Sequence, residues 1–130
     1  MNIPDAVSSP SSVAESAQDS GLTATIHNNG EIVVLEVGGE VDLLTAPLLR
    51  DAVTKSLHDH PQVFVLDLLA VRFLGSSGLA VLLEAQQLAG EHTRLRVVAD
   101  GPTTRRPLDV TGLAQQFALY STREDALRNA

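Results

Sequence analysis

The run Val63-Phe64-Val65-Leu66-Asp67-Leu68 constrains the fold more than any other segment of the chain. A strand with one wet face alternates apolar and polar residues. This one is apolar at odd and even positions, which requires cover on both faces, the condition of a parallel strand inside an α/β sheet. Glu31 to Val37 reads the same way, with Ile32, Val33, Val34, Leu35 and Val37. Leu22 to His27 precedes it across Asn28-Asn29-Gly30, residues that tolerate the positive φ of a tight turn. The two segments are expected to form an opening hairpin.

Between these strands the period changes to that of a helix. Thr45 is a suitable N-cap, Ala46 and Pro47 fit a first turn, and Leu48, Leu49, Ala52, Val53 and Leu57 make a stripe. That helix is expected to end near Asp59, ahead of Pro61. Ser76 or Ser77 is expected to cap a second helix, Gly78 to about Leu88. Its apolar arc (Leu79, Ala80, Val81, Leu82, Leu83, Ala85, Leu88, Ala89) is wider than one buried face needs. Leu95 to Ala99 is a strand. A third helical segment opens at Gly101-Pro102-Thr103 and ends near Gly112 as a left-handed cap, with Pro107 marking a late start or a bend. Gln116 to Tyr120 is a short strand, and Ser121 with Glu124 forms a capping box for a last helix over Asp125, Ala126 and Leu127. The order β-β-α-β-α-β-α-β-α predicts an α/β fold with a mixed, mostly parallel sheet and helices packed on it.

Composition narrows the function classes. With 130 residues, 44% of them hydrophobic, the chain has material for one packed domain. Residues 1–20, carrying Ser8, Ser9, Ser11, Ser12, Ser16 and Ser20, offer little apolar area and are expected to be a disordered tail ahead of a domain at 21–130. There is no Cys, hence no disulfide and no thiolate metal site. The net charge of −7 and 3% aromatic content disfavour nucleic acid as a partner. No run approaches the roughly 20 apolar residues of a membrane span, and the acidic start lacks the features of a signal peptide. A cytoplasmic protein without membrane insertion is the expectation.

Chemistry concentrates at Arg72-Phe73-Leu74-Gly75-Ser76-Ser77-Gly78-Leu79, where a buried strand feeds a helix. Crevices beyond the carboxyl ends of strands are where α/β sheets meet ligands and partners. A phosphate on Ser77 would sit near the positive end of the helix dipole yet add about two negative charges to the surface. Catalytic patterns fail here. A nucleophile elbow centred on Ser77 needs Gly where Leu79 stands, and a phosphate-binding loop needs a Lys that this segment lacks, the chain's one Lys being Lys55. His58-Asp59-His60 lacks the spacing that places two ligands on one helix face, and Glu40 with Asp42 is a weak carboxylate pair. No enzyme, cofactor or metal site is expected.

Several blocks in order then resemble one family. Gly39-Glu40-Val41-Asp42 followed by Thr45-Ala46-Pro47-Leu48-Leu49-Arg50 is similar to the opening pattern of STAS domains, the anti-sigma factor antagonists of bacteria and related domains of anion transporters. Val65-Leu66-Asp67-Leu68, Val71 to Leu74 and Ser76-Ser77-Gly78-Leu79 resemble the family's strand and its D-S-S-G-L phosphorylation motif. Asp109 to Leu113 with Phe117 resembles its late helix and last strand. The resemblance implies a four-to-five-stranded sheet with helices mainly on one side. It also implies partner switching in transcription regulation and stress response. The unphosphorylated antagonist binds an anti-sigma factor, a serine kinase with a histidine-kinase-like ATPase fold, and frees a sigma factor. The kinase phosphorylates the second serine, and a serine phosphatase resets it. Carried over, the phosphoacceptor is Ser77 and Ser76 is its neighbour and cap. Asp42, Thr45, Gly75, Gly78, Leu79 and Leu82 surround the site, and the wide arc of the second helix serves as part of the partner surface. The family's aspartate before the serines is Gly75 here. That departure keeps a second reading in play, a constitutive, unphosphorylated adaptor or scaffold in a transport or stress-sensing complex.

Overall fold

The computed structural model describes residues 21–128. The expected tail, 1–20, lies outside them, as do residues 129 and 130. Strands β1 (Leu22–Asn28), β2 (Ile32–Val41), β3 (Val63–Leu74), β4 (Arg94–Val98) and β5 (Ala118–Tyr120) form one sheet in the order β1-β2-β3-β4-β5. β1 pairs antiparallel with β2, and the other three pairings are parallel. The helices are α1 (Ala46–Leu57), α2 (Ser76–Ala89), α3 (Gly101–Val110) and α4 (Arg123–Arg128), with a 3₁₀ turn at Leu113–Gln116. The expected element order and fold class are those observed.

The register explains the apolar runs. Val33 pairs with Phe64 and Leu35 with Leu66, and these side chains meet α1, α2 and α3 in the main core. Ile32 pairs with Val63 and Val34 with Val65 on the opposite face, where Val98, Ala126 and Tyr120 complete a smaller cluster. Three helices therefore cover one face and α4 covers part of the other.

Several expected boundaries shift. β3 runs six residues beyond Leu68 because two register irregularities against β2, between Glu36 and Gly38 and between Gly39 and Glu40, absorb extra residues. Asp67 braces the first of them, accepting the Leu69 N–H on Oδ1 at 3.0 Å. These irregularities return Val71 and Leu74 to the core after the exposed Leu69 and Ala70. α3 continues through Pro107, neither starting late nor stopping there. β5 begins at Ala118, Gln116 belonging to the 3₁₀ turn. The last helix is capped one residue later than expected: Thr122 Oγ1, in place of Ser121, accepts the Asp125 N–H at 3.1 Å.

A charge ladder crosses the α4 face. His27 Nε2 lies 3.2 Å from Glu36 Oε1, and Arg123 reaches Glu36 Oε2 at 3.0 Å and Asp67 Oδ2 at 2.8 Å. The hydrogen bond from His27, with the Arg123 charge and against partial burial, holds the Glu36 carboxyl below its ordinary 4.5. A folded-state pKa below the unfolded one stabilises the fold fully above the unfolded value, and this is lost as pH falls through the folded one. Urea titrations should accordingly show stability declining below about pH 4.5, and Glu36→Gln should remove a part worth less than about 1 kcal/mol, since the groups are half-exposed. An unchanged acid limb in Glu36→Gln would reject this assignment.

Candidate functional site

The site gathers where β2 and β3 end side by side. Val41 pairs with Leu74, and the Val41 carbonyl accepts the Gly75 N–H at 2.9 Å. Residues 42–45 leave one strand and Gly75-Ser76-Ser77 leaves the other, so one backbone bond joins the two segments.

Residues 42–45 form a closed hydrogen-bonded loop. Asp42 Oδ1 accepts the N–H groups of Leu44 and Thr45, each at 3.0 Å. Thr45 Oγ1 accepts the Asp42 N–H at 2.9 Å, and its proton is shared between the Glu40 carbonyl at 2.9 Å and Asp42 Oδ1 at 3.2 Å. This revises the expected role of Thr45. It precedes α1 in helical geometry, its side chain caps nothing in that helix, and it is buried. Asp42, half-exposed, and Thr45, buried, build the loop.

α2 also begins earlier than expected. Gly75 occupies the N-cap position, with φ −88° and ψ −179°, and Ser76 and Ser77 are the first two helical residues. Neither serine caps the helix, which corrects the expected role of Ser76. The Gly75 carbonyl accepts the Gly78 N–H at 3.0 Å and the Leu79 N–H at 3.1 Å. Ser76 is exposed and Ser77 half-buried. Among the described residues neither hydroxyl has a hydrogen-bond partner, so both are available to an incoming group.

The two glycines differ in their reasons. A Cβ on Gly78 would stand 2.6 Å from Val41 Cγ1 and 2.7 Å from Leu74 Cδ1, so only glycine lets α2 lie this close to the strand ends. Gly75 has backbone angles open to any residue. A Cβ there would stand 3.0 Å from Phe73 Cε2 and 3.3 Å from Cζ, so an aspartate needs only a small swing of the half-exposed Phe73 ring.

Two expected contact residues point inward. Leu82 has no exposed surface and Leu79 only 9%, and both lie in the main core with Val81 and Ala85. Most of the arc of α2 is buried because the helix packs on the strand ends and on α1 at once, with Ala80 and Leu88 left exposed; Arg50 of α1 reaches Glu84 of α2 at 2.6 Å. The apolar surface at the site comes instead from Leu43 (77% exposed), Leu44 (83%) and Phe73 (52%). Sequence reasoning passed over the two leucines. Their signal was a tandem apolar pair between the loop-building Asp42 and Thr45, out of phase with the α1 stripe.

Among the described residues no group of three His, Asp or Glu side chains could hold a metal ion, and no helix is long and apolar enough to cross a membrane. His60 has a left-handed backbone (φ 51°), and its ring centroid lies 5.8 Å from that of His92.

Comparison with known proteins identifies the family of the fold. Residues 23–126 match the STAS domain family. The chain is 44% identical over 112 residues to the anti-sigma-F factor antagonist RsfB of Mycobacterium tuberculosis, covering 86% of this chain and 91% of that protein. The crystal structure of an anti-sigma factor antagonist from Mycobacterium paratuberculosis superposes with a TM-score of 0.79 at 42% identity, over 83% of this chain and 92% of that one. The unphosphorylated form of the antagonist SpoIIAA shares the fold, with a TM-score of 0.68 at 17% identity, over 82% of this chain and 95% of that one.

Proposed function

The chain belongs to the STAS domain family, and from that premise we propose an anti-sigma factor antagonist controlled at Ser77. Its unphosphorylated form binds an anti-sigma factor, which releases a sigma factor. It acts by binding and not by catalysis. The anti-sigma partner is a serine kinase with a histidine-kinase-like ATPase fold, phosphorylation of Ser77 ends the association, and a serine phosphatase restores it. The exchange takes place in the cytoplasm, and the division into a 1–20 tail and a 21–130 domain belongs to the same proposal.

The observation that supports the switch is the accessible, unpartnered Ser77 hydroxyl in the first turn of α2. A phosphate there meets the orphan N–H groups and positive dipole of a helix start, so the domain itself tolerates the modification. The partner's opposing surface meets about two added negative charges. Asp42 accepts three hydrogen bonds on Oδ1, which ties that oxygen to its own loop. Activation of the Ser77 hydroxyl is assigned to the kinase.

Intact-mass measurement with site mapping, on protein purified from its own host in resting and stressed cells, tests the switch. The expected result is an addition of about 80 Da, one phosphoryl group, at Ser77. An unmodified Ser77 in both states overturns it in favour of the constitutive adaptor, the reading that Gly75 favours.

A further inference from the structure

We infer that Leu43 and Leu44 are the partner-specificity contact of this protein, a preorganised apolar knuckle that seats in an apolar depression on the anti-sigma factor. The inference rests on the reading that the Ser77 turn faces that partner. A lone exposed leucine is ordinary on a protein surface. Two in succession, 77% and 83% exposed, beside a half-exposed Phe73 at the neighbouring strand end, make a patch of the kind that marks an interaction surface.

The pair is held out by structure. Leu44 N–H and Thr45 N–H both donate to Asp42 Oδ1, and Asp42 N–H donates to Thr45 Oγ1. The loop thus fixes the backbone on each side of the two side chains. Side chains carried on a fixed backbone lose less freedom on binding than those on a loop that must first be ordered. Neither leucine serves the core: the buried stripe of α1 begins with Ala46 and Leu49.

The position of the loop indicates its occupant. The Val41 carbonyl accepts the Gly75 N–H, so the leucine loop and the serine turn form one continuous surface at adjoining strand ends. A partner that senses charge on Ser77 meets the leucines in the same approach. The two strand ends that carry this surface hold Glu40, Asp42 and Arg72 in sequence, two carboxylates to one guanidinium. A second copy of the chain would bring the same acidic excess to the contact, which opposes self-association.

The test is the Leu43→Ser/Leu44→Ser variant of the full chain, titrated calorimetrically against each anti-sigma factor encoded in the protein's own genome, expressed singly. The Kd for the factor bound by the parent should rise on the order of tenfold or more, with Tm unchanged. Leu88→Ser, exposed at the far end of α2, should leave the Kd as it is. Parental affinity in the double variant overturns the inference, and the Ser77 switch still stands if Ser77→Asp weakens binding. Failure of the parent to bind any of these factors overturns both. Leucine-dependent dimerisation in sedimentation, with anti-sigma affinity unaltered, overturns the assignment of the occupant.

Discussion

A Leu82→Ala variant is expected to lose about 2–5 kcal/mol of folding stability, the range for truncating a fully buried leucine. Leu82 has no exposed surface and lies among Leu79, Val81 and Ala85 of α2 and the core residues of β2, β3 and α1. Removing its isopropyl group leaves a cavity that a helix pinned between strand ends and a neighbouring helix cannot close. Urea unfolding reads the effect as a lower midpoint with an unchanged slope. The same variant separates two roles for α2. A buried Leu82 predicts that whatever fraction remains folded binds the anti-sigma factor with parental affinity. A folded, stable Leu82→Ala protein with a weakened Kd would return this residue to the partner surface and contradict its burial.

Ser77→Asp is the second large effect. It should weaken binding of the anti-sigma factor by roughly tenfold or more, because an uncompensated charge enters a contact built for a neutral hydroxyl. Ser77→Ala should bind within about threefold of the parent, and independently of ATP. The carboxylate carries one charge against the phosphate's nearly two, so mimicry is partial. Stability supplies the internal control. Ser77 is the second residue of α2, and an acidic side chain in a helix's first turn is favourable by about 0.3–1 kcal/mol. The aspartate variant should therefore lose affinity while its melting temperature holds or rises. Equal affinities for Ser77→Ala and Ser77→Asp would reject the switch; a parallel loss of stability would attribute weak binding to misfolding.

Legibility in the sequence varied with how local the cause was. The strand Val63 to Leu68 was readable because a run apolar on both sides has one solution in a small α/β domain. Its continuation to Leu74 was not, since two register irregularities against β2 break the alternation, and they depend on what lies alongside. The serine turn lies at the start of α2 as expected, while two helix caps fall one or two residues from their expected positions: Gly75 caps α2, and Thr122 caps α4. Cap identity depends on where the chain leaves its strand, a matter of pairing, while Ser and Thr are acceptable caps almost anywhere.

The largest gap concerned the surface. The family resemblance puts Leu79 and Leu82 at the site, and an arc that wide exceeds what one helix face buries against one neighbour. In the fold α2 packs on the ends of β2 and β3 and on α1, so Leu79, Val81, Leu82, Ala85 and Ala89 are buried while Ala80 and Leu88 stay exposed. Leu43 and Leu44 had no periodicity to announce them, and the fold leaves them in water. Periodicity, turn residues and motif spacing, all short-range properties, were sufficient for the element order, the mostly parallel sheet and the placement of Ser77 at a strand-to-helix junction. Which apolar side chains remained for a partner was decided by tertiary packing alone, because burial is set by neighbours distant in the chain and the same leucine is core or surface according to what those neighbours cover.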